Sequence, residues 1–375
     1  MTAPLIDWSA VRSEFPALAK WTYLNTATFG QVPRRAVRAM AAHMERRDET
    51  ACADFLHWYD DADRIRAQCA QLIHAQADDI TFVPNASTGL ALLIQGLPWR
   101  AGEEVLTIED EFPNQLYVSA ALERFGAVHR VVPWAEFYDS VSERTRLVVL
   151  STVNYATGFR LPVEEISRFL AERGGLLYLD GTQSVGALEF DVRRVRPAVL
   201  CVDAYKWMLS PNGAGFVYVA PELRERLAVT VVGWRTDRNW REVDHLNHGV
   251  PVLGDAAEKY EGGALVFPSL YAMSAVLDMM LEIGASAIEV RVLELAGQVR
   301  AMLCGLGASV NCDASQIVTA CLPGRDPGEL ARRLREERIL VSARHGRLRV
   351  SPHFYNDERD VEKLKMALHR LMPES

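Results

Sequence analysis

The chain predicts an α/β fold: a seven-stranded, mostly parallel sheet flanked by helices, with a small α+β domain at the C-terminal end. Three observations predict it. From about residue 60 onward, short apolar runs alternate with amphipathic stretches. Several of those runs are apolar throughout, as strands covered on both faces are. Near residue 268 the pattern changes to a long helical stretch followed by short alternating strands. With 375 residues, 49% of them hydrophobic and 24% charged, the chain is long enough to bury one large core and a smaller one beside it.

The strands read, in order, as "DITFVP" (79–84), "EVLTI" (104–108), "VHRVV" (128–132), "RLVVLSTV" (146–153), "LLYLD" (176–180), "AVLCVDA" (198–204) and "GFVYV" (215–219). Helices are expected between them over 114–125 and over 162–175, the latter opening on Pro162 and ending on two glycines. Beyond 268 the reading is a long helix over 269–304, strands in "SQIVTACLP", "ILVSA" and "GRLRVSPHF", and a last helix from Asn356. That helix sets Val361, Leu364, Leu368 and Leu371 on one face. The expected division is residues 1–20 as an arm joining the small domain, 21–267 as the large domain and 268–375 as the small one.

Charge and cysteine usage exclude several classes. The formal net charge is −8 with no basic cluster, which argues against nucleic-acid and anionic-membrane partners. No run approaches the roughly 20 apolar residues needed to span a bilayer. The N-terminal "MTAPLIDWSAVRSEF" has no signal-like apolar core, so a cytoplasmic location is expected. Cys52, Cys69, Cys201, Cys304, Cys312 and Cys321 are scattered without C-x-x-C spacing, so neither a metal site nor a disulfide framework is expected.

In parallel sheets, ligands bind beyond the carboxyl ends of the strands. Four places there carry polar groups. "ITFVPNASTGL" passes from strand to helix through Asn85, Ala86, Ser87, Thr88 and Gly89, a helix start whose free N–H groups suit a phosphate or serve as a plain cap. It lacks the G-x-G-x-x-G of dinucleotide sites and the G-K-[ST] of P-loops, so a cofactor phosphate is the better fit. "LLYLDGTQSVG" ends a strand on Asp180, which either caps a turn or pairs with a cationic ring nitrogen. "DAYKWMLSPNGAGFVYV" holds Lys206 between two apolar runs, where desolvation favours the neutral, nucleophilic amine. "GRLRVSPHF" puts Arg347 and Arg349 on one strand face, either as surface charges or as a fork for a carboxylate. Phosphate cup, strand-end aspartate, inter-strand lysine and carboxylate-binding arginine together are what pyridoxal 5′-phosphate chemistry needs.

With these residues, and with "YLNTATFG", "DGTQSVGAL" and "YEGGALVFPSLY", the chain resembles the class V aminotransferase family of fold-type I pyridoxal-phosphate enzymes over about residues 20–370. That family includes cysteine desulfurases, cystine lyases, isopenicillin N epimerase-like enzymes and kynureninase. The resemblance implies that Lys206 is the Schiff-base lysine and general base, that Asp180 pairs with the pyridine nitrogen, and that Gln183 bonds the ring's phenolic oxygen. It places the phosphate on Ala86, Ser87 and Thr88, helped by Tyr205, with Asp203 close by where desulfurases carry serine. Phe112 takes the position of the aromatic that stacks on the ring. Arg349 takes the substrate carboxylate, Asn25 lies in the loop that borders the substrate, and Tyr155 stands among the substrate-binding residues where desulfurases carry asparagine. The resemblance also implies a homodimer in which Gly263 and Ala264 reach the other copy's cofactor.

The stretch 231–255, rich in Trp, Arg and His, is expected to form a substrate-facing loop with contacts from Trp234, Arg235 and His248. The expected activity is formation of a covalent adduct with a small amino acid or conjugate followed by α-proton removal, as in an aminotransferase. A β-eliminating C–S lyase or an epimerase is the alternative. "EERILVSARHGRLRVS" (336–351) has no cysteine, so persulfide-forming desulfurase chemistry is not expected.

Overall fold

The computed structural model describes residues 6–311 and 314–372. Its central sheet contains β1 (Ile80–Val83), β2 (Glu104–Ile108), β3 (Val128–Val132), β4 (Thr145–Ser151), β5 (Leu176–Asp180), β6 (Val199–Asp203) and β7 (Gly215–Val219). The spatial order is β1-β7-β6-β5-β4-β2-β3, with β7 antiparallel to both neighbours and every other adjacent pair parallel. β4, β5 and β6 are buried nearly end to end, which is why their sequences are apolar runs rather than alternating ones. Register sets Ser151 beside Asp180 and Asp180 beside Cys201, so the carboxyl ends of these three strands form one row. Ser151, Asp180 and Asp203 stand along that row.

Two expected helices differ. The 114–125 stretch is broken into Pro113–Leu116, Val118–Leu122 and a 3₁₀ turn at Glu123–Phe125, the first turn closing where the Tyr117 N–H returns to the Pro113 carbonyl. The long 269–304 helix is two helices, Phe267–Ile283 and Ala285–Gly305, interrupted at Gly284 with φ 90°. Only glycine takes that conformation without a Cβ penalty. The first helix packs on Arg34–Thr50 and Phe55–Ile73 in the main core, and the second carries Val299 and Leu303 into the core of the smaller sheet.

The smaller sheet is four-stranded and antiparallel: Ser342–Arg344, Arg347–Val350, Val318–Cys321 and Ser309–Val310, in that spatial order. The last helix, Glu358–Leu371, opens with a reciprocal cap between Asp357 and Asp360 and buries Val361, Leu364, Leu368 and Leu371. Near the N-terminal end, Arg12 pairs with Asp360, and Thr22–Tyr23 runs parallel to Ile339–Leu340. Cys312 and residues 1–5 of the expected arm lie outside the described residues. Among the described residues, no helix is long and apolar enough to cross a membrane, and no group of three or more His, Cys, Asp or Glu is placed to hold a metal.

Candidate active site

Lys206 sits on the turn between β6 and β7 and is 8% exposed. Among the described residues its ammonium makes no hydrogen bond or ion pair; it lies 5.3 Å from the centroid of the Phe112 ring and 5.5 Å from that of Tyr205. Burial pushes its pKa down to about 8, against the pull of Asp180 and Asp203 and with a push from Arg349 and Arg344. The turn is pinned from outside by Gly30, whose N–H donates to the Tyr205 carbonyl at 2.8 Å. A Cβ at Gly30 would fall 2.0 Å from the Lys206 carbonyl oxygen, so no larger residue fits there.

Asp180 is held by two donors, the Thr182 N–H on Oδ1 at 2.9 Å and the Gln115 amide on Oδ2 at 3.2 Å. Gln115 also donates to the Ser151 hydroxyl at 3.2 Å, and the Ser151 N–H and O–H both donate to Glu111 at 2.6 Å. Burial pushes Glu111 up to about 7, with the Ser151 bonds opposing. Sequence reasoning missed Glu111, Gln115 and Ser151, although Ser151 closes an apolar strand just as Asp180 does. Gln183 donates to the Ala27 carbonyl at 3.1 Å and accepts from the Trp207 indole at 2.8 Å, leaving one amide N–H for the site.

The expected phosphate cup is the start of the helix Ala86–Gly96. Asn85 caps it by accepting from the Thr88 N–H at 2.9 Å and the Thr88 hydroxyl at 3.1 Å, while the Ser87 hydroxyl donates to Asn114 at 3.0 Å. Gly89 lets this helix approach the sheet: a Cβ there would lie 2.5 Å from Cys201 Sγ. Asp203 stands against the cup. Burial pushes its carboxyl up to about 6, a backbone bond from Ala86 opposes this and Asp180 adds to it, and Oδ1 is buried without a partner. Tyr205 packs on Phe29 at 5.0 Å, and burial pushes its phenol up to about 12.

Across the cleft, Arg349 is 1% exposed. Its guanidinium donates to the Ser342 hydroxyl at 3.0 Å, the Tyr155 carbonyl at 2.5 Å and the Thr28 hydroxyl at 2.6 Å. All three acceptors are neutral, and burial pushes its pKa down to about 9. Asn25 acts at one remove by accepting the Thr28 hydroxyl at 2.9 Å. The Tyr155 ring sits edge-on to Phe112 at 5.2 Å, and its hydroxyl pairs with His345 Nε2 at 3.0 Å. Thr28, Ser342 and His345 carried no signal in the sequence reading.

The 231–255 stretch departs from expectation at Arg235. Its guanidinium is buried between Glu258 and Glu261 and lies over Tyr59 and Trp240, each at 4.6 Å, so it holds the fold and does not face a substrate. The ring contacts of Trp234 are with Tyr59 and Trp240, and His248 is exposed. Gly263 offers its carbonyl to Arg235 and its N–H to the Glu261 carbonyl, and Ala264 is exposed.

A buried lysine without an acceptor, an arginine without a carboxylate, a helix start and a strand-end aspartate fit a group carrying an aldehyde, a phosphate and a basic ring nitrogen. Pyridoxal 5′-phosphate is that group. A sequence model of the family described as Aminotransferase class-V matches residues 22–364. The chain belongs to the class V aminotransferase family. Curated relatives of this class V chain include a probable cysteine desulfurase of Methanothermobacter thermautotrophicus, 26% identical over 96% of this chain and 97% of the relative. Another is the isopenicillin N epimerase of Streptomyces clavuligerus, 27% identical over 98% and 99%. Among solved structures, a complex of the cystine C–S lyase C-DES with cysteine persulfide superposes with a TM-score of 0.88, at 24% identity over 94% of this chain and 98% of that one. A cysteine desulfurase from Thermococcus onnurineus superposes at 0.87, with 20% identity over 99% of both chains. These likenesses establish fold-type I architecture for the class V chain. The desulfurase relatives run counter to the expectation that persulfide chemistry is excluded.

Proposed function

We propose that this site binds a small amino acid by its carboxylate at Arg349 and removes the α-proton with Lys206, as an aminotransferase does. The observation that carries the reading is the pair of buried cations, Lys206 and Arg349, linked through Phe112 and Tyr155 and, among the described residues, neither neutralised by an ion pair. Pyridoxal phosphate, when bound, supplies the aldehyde that captures the amine and the ring that draws electrons from Cα. Asp180, fixed by Thr182 and Gln115, would pair with the ring nitrogen. Phe112 would stack on the ring, and Gln183 would offer its free N–H to the phenolic oxygen. Ala86, Ser87 and Thr88 would hold the phosphate. A pKa near 8 leaves Lys206 partly neutral at physiological pH, able to accept the α-proton and to give it back on the far side of the substrate nitrogen.

Elimination of a β-substituent is the second reading, favoured by the Tyr155–His345 pair, whose phenol beside Phe112 can hand a proton to a departing sulfur. The 342–350 hairpin turns through His345 and Gly346 without a cysteine, which supports both readings over persulfide formation. We further propose a homodimer in which the Gly263–Ala264 segment of each copy reaches the other's cup, an arrangement supported by exposed Val250, Val252 and Val266 on the stretch around it. Incubating the reconstituted enzyme with single amino acids and no keto acid tests the reaction. A stoichiometric conversion to the pyridoxamine form is expected; catalytic pyruvate, ammonia and free thiol from cysteine conjugates would replace amino transfer with elimination.

A further inference from the structure

The hairpin that carries Arg349 holds more positive charge than an α-carboxylate uses. Its strands pair Ser342 with Arg349 and Arg344 with Arg347, and side chains alternate along each strand, so Ser342, Arg344, Arg347 and Arg349 share one face. Leu348 and Val350 point the other way into the smaller core. Arg349 is engaged by Ser342, Tyr155 and Thr28. Arg344 is part-buried and donates only to the neighbouring Ala343 carbonyl at 2.7 Å. Among the described residues, none of the three arginines has a carboxylate within 4 Å, in a chain of net charge −8 whose arginines elsewhere are widely paired. Arg344 also acts as a like charge on both Lys206 and Arg349, so it lies near both cations. Next to it, His345 is tied to Tyr155, which stacks edge-on to Phe112.

We infer that Arg344 binds a second anionic group at the end of the substrate's side chain, so that the preferred substrates are acidic amino acids or cysteine conjugates ending in a carboxylate. An α-carboxylate on Arg349 would leave Arg344 one diagonal step away on the same hairpin face, within reach of a second anionic group on the same substrate. The proposal rests on the reading of Lys206 and Arg349 given above.

The test uses the reconstituted holoenzyme and follows the cofactor's absorbance during titration with isosteric pairs: glutamate against glutamine, aspartate against asparagine, and S-carboxymethylcysteine against S-carbamoylmethylcysteine. Wild type should bind the acidic member at least tenfold more tightly. Arg344→Gln should lower that acidic-over-neutral ratio at least tenfold, and Arg344→Lys should restore part of it, with bound-cofactor absorbance confirming a folded site in each variant. A wild-type preference for the neutral members, or an unchanged ratio in Arg344→Gln, would overturn the inference while leaving the function in place. No spectral response to any amino acid would overturn the proposed function and this inference with it.

Discussion

Two clusters of buried charge in this molecule face the same electrostatic cost and meet it differently. Arg66, Arg235, Glu258 and Glu261 pair off their charges: Glu261 accepts from Arg66 at 2.5 Å, from Arg235 at 2.7 Å and from the Phe82 N–H at 2.8 Å, and Arg235 also pairs with Glu258, with only the two arginine Nε groups left without a hydrogen bond among the described residues. Burial alone would raise the Glu261 pKa, but the two arginines outweigh it and hold the carboxyl below its usual range. The second cluster, Lys206, Asp180, Asp203 and Arg349, stays open: an ammonium without an acceptor, a carboxylate oxygen without a donor and a guanidinium with only neutral acceptors. Burying an ion costs several kcal/mol, which a closed network offsets from within the chain. An open one is offset by a ligand. Closure therefore separates charges that hold the fold from charges that await chemistry.

The largest expected contrast comes from Lys206→Met. Loss of the base alone should reduce turnover by roughly 10²–10⁴-fold. Measured by urea denaturation without added cofactor at pH 7, the same variant should be more stable by ~1–3 kcal/mol. The sign follows from the depressed pKa. Between about 8 and 10.5 the unfolded lysine is protonated and the folded one is not, so wild-type stability falls as pH drops through that window and stays lower beneath it. The advantage of the variant should vanish above pH 10.5.

Glu261→Gln should do the reverse, lowering stability by ~3–5 kcal/mol because it takes from buried Arg66 its one hydrogen-bonded carboxylate and from Arg235 one of two. Denaturant titration checks it; a loss below about 1 kcal/mol would mean that the network is not closed by this residue. Arg349→Lys comes next. With the planar fork gone, KM for an amino acid should rise about 10–100-fold with a smaller change in kcat, as steady-state kinetics would show.

The smallest effect is expected from Asp203→Asn. Because the folded pKa is raised to about 6, the folded protein binds the extra proton between about pH 4 and 6, and stability is lost as pH rises through that range. The variant should match wild type at pH 4 and exceed it by ~1–3 kcal/mol at pH 8.

How much of this was legible beforehand depended on where the signal lay. Strands announced themselves because burial on both faces makes each an uninterrupted apolar run, and Asp180 and Lys206 stood out as polar interruptions of such runs. Glu111 and Gln115 did not, since acidic and amide residues in a strand-to-helix loop look like solvated surface until the register brings Ser151 beside Asp180. Arg235 was misplaced for the complementary reason: its aromatic neighbours suggested a binding loop, and only its contacts with Glu258 and Glu261 reveal a closed pair. The break at Gly284 was hidden because apolar spacing continues across it.

One short segment of backbone sets a distance. Between residues 25 and 30 the chain bridges to Ser351, lends the Thr28 hydroxyl to Arg349 and rests Gly30 against the carbonyl of Lys206. The Arg349 guanidinium and the Lys206 turn are thereby tied to the same five peptide units. Arg349 and the turn that carries Lys206 therefore cannot move apart without straining this one segment.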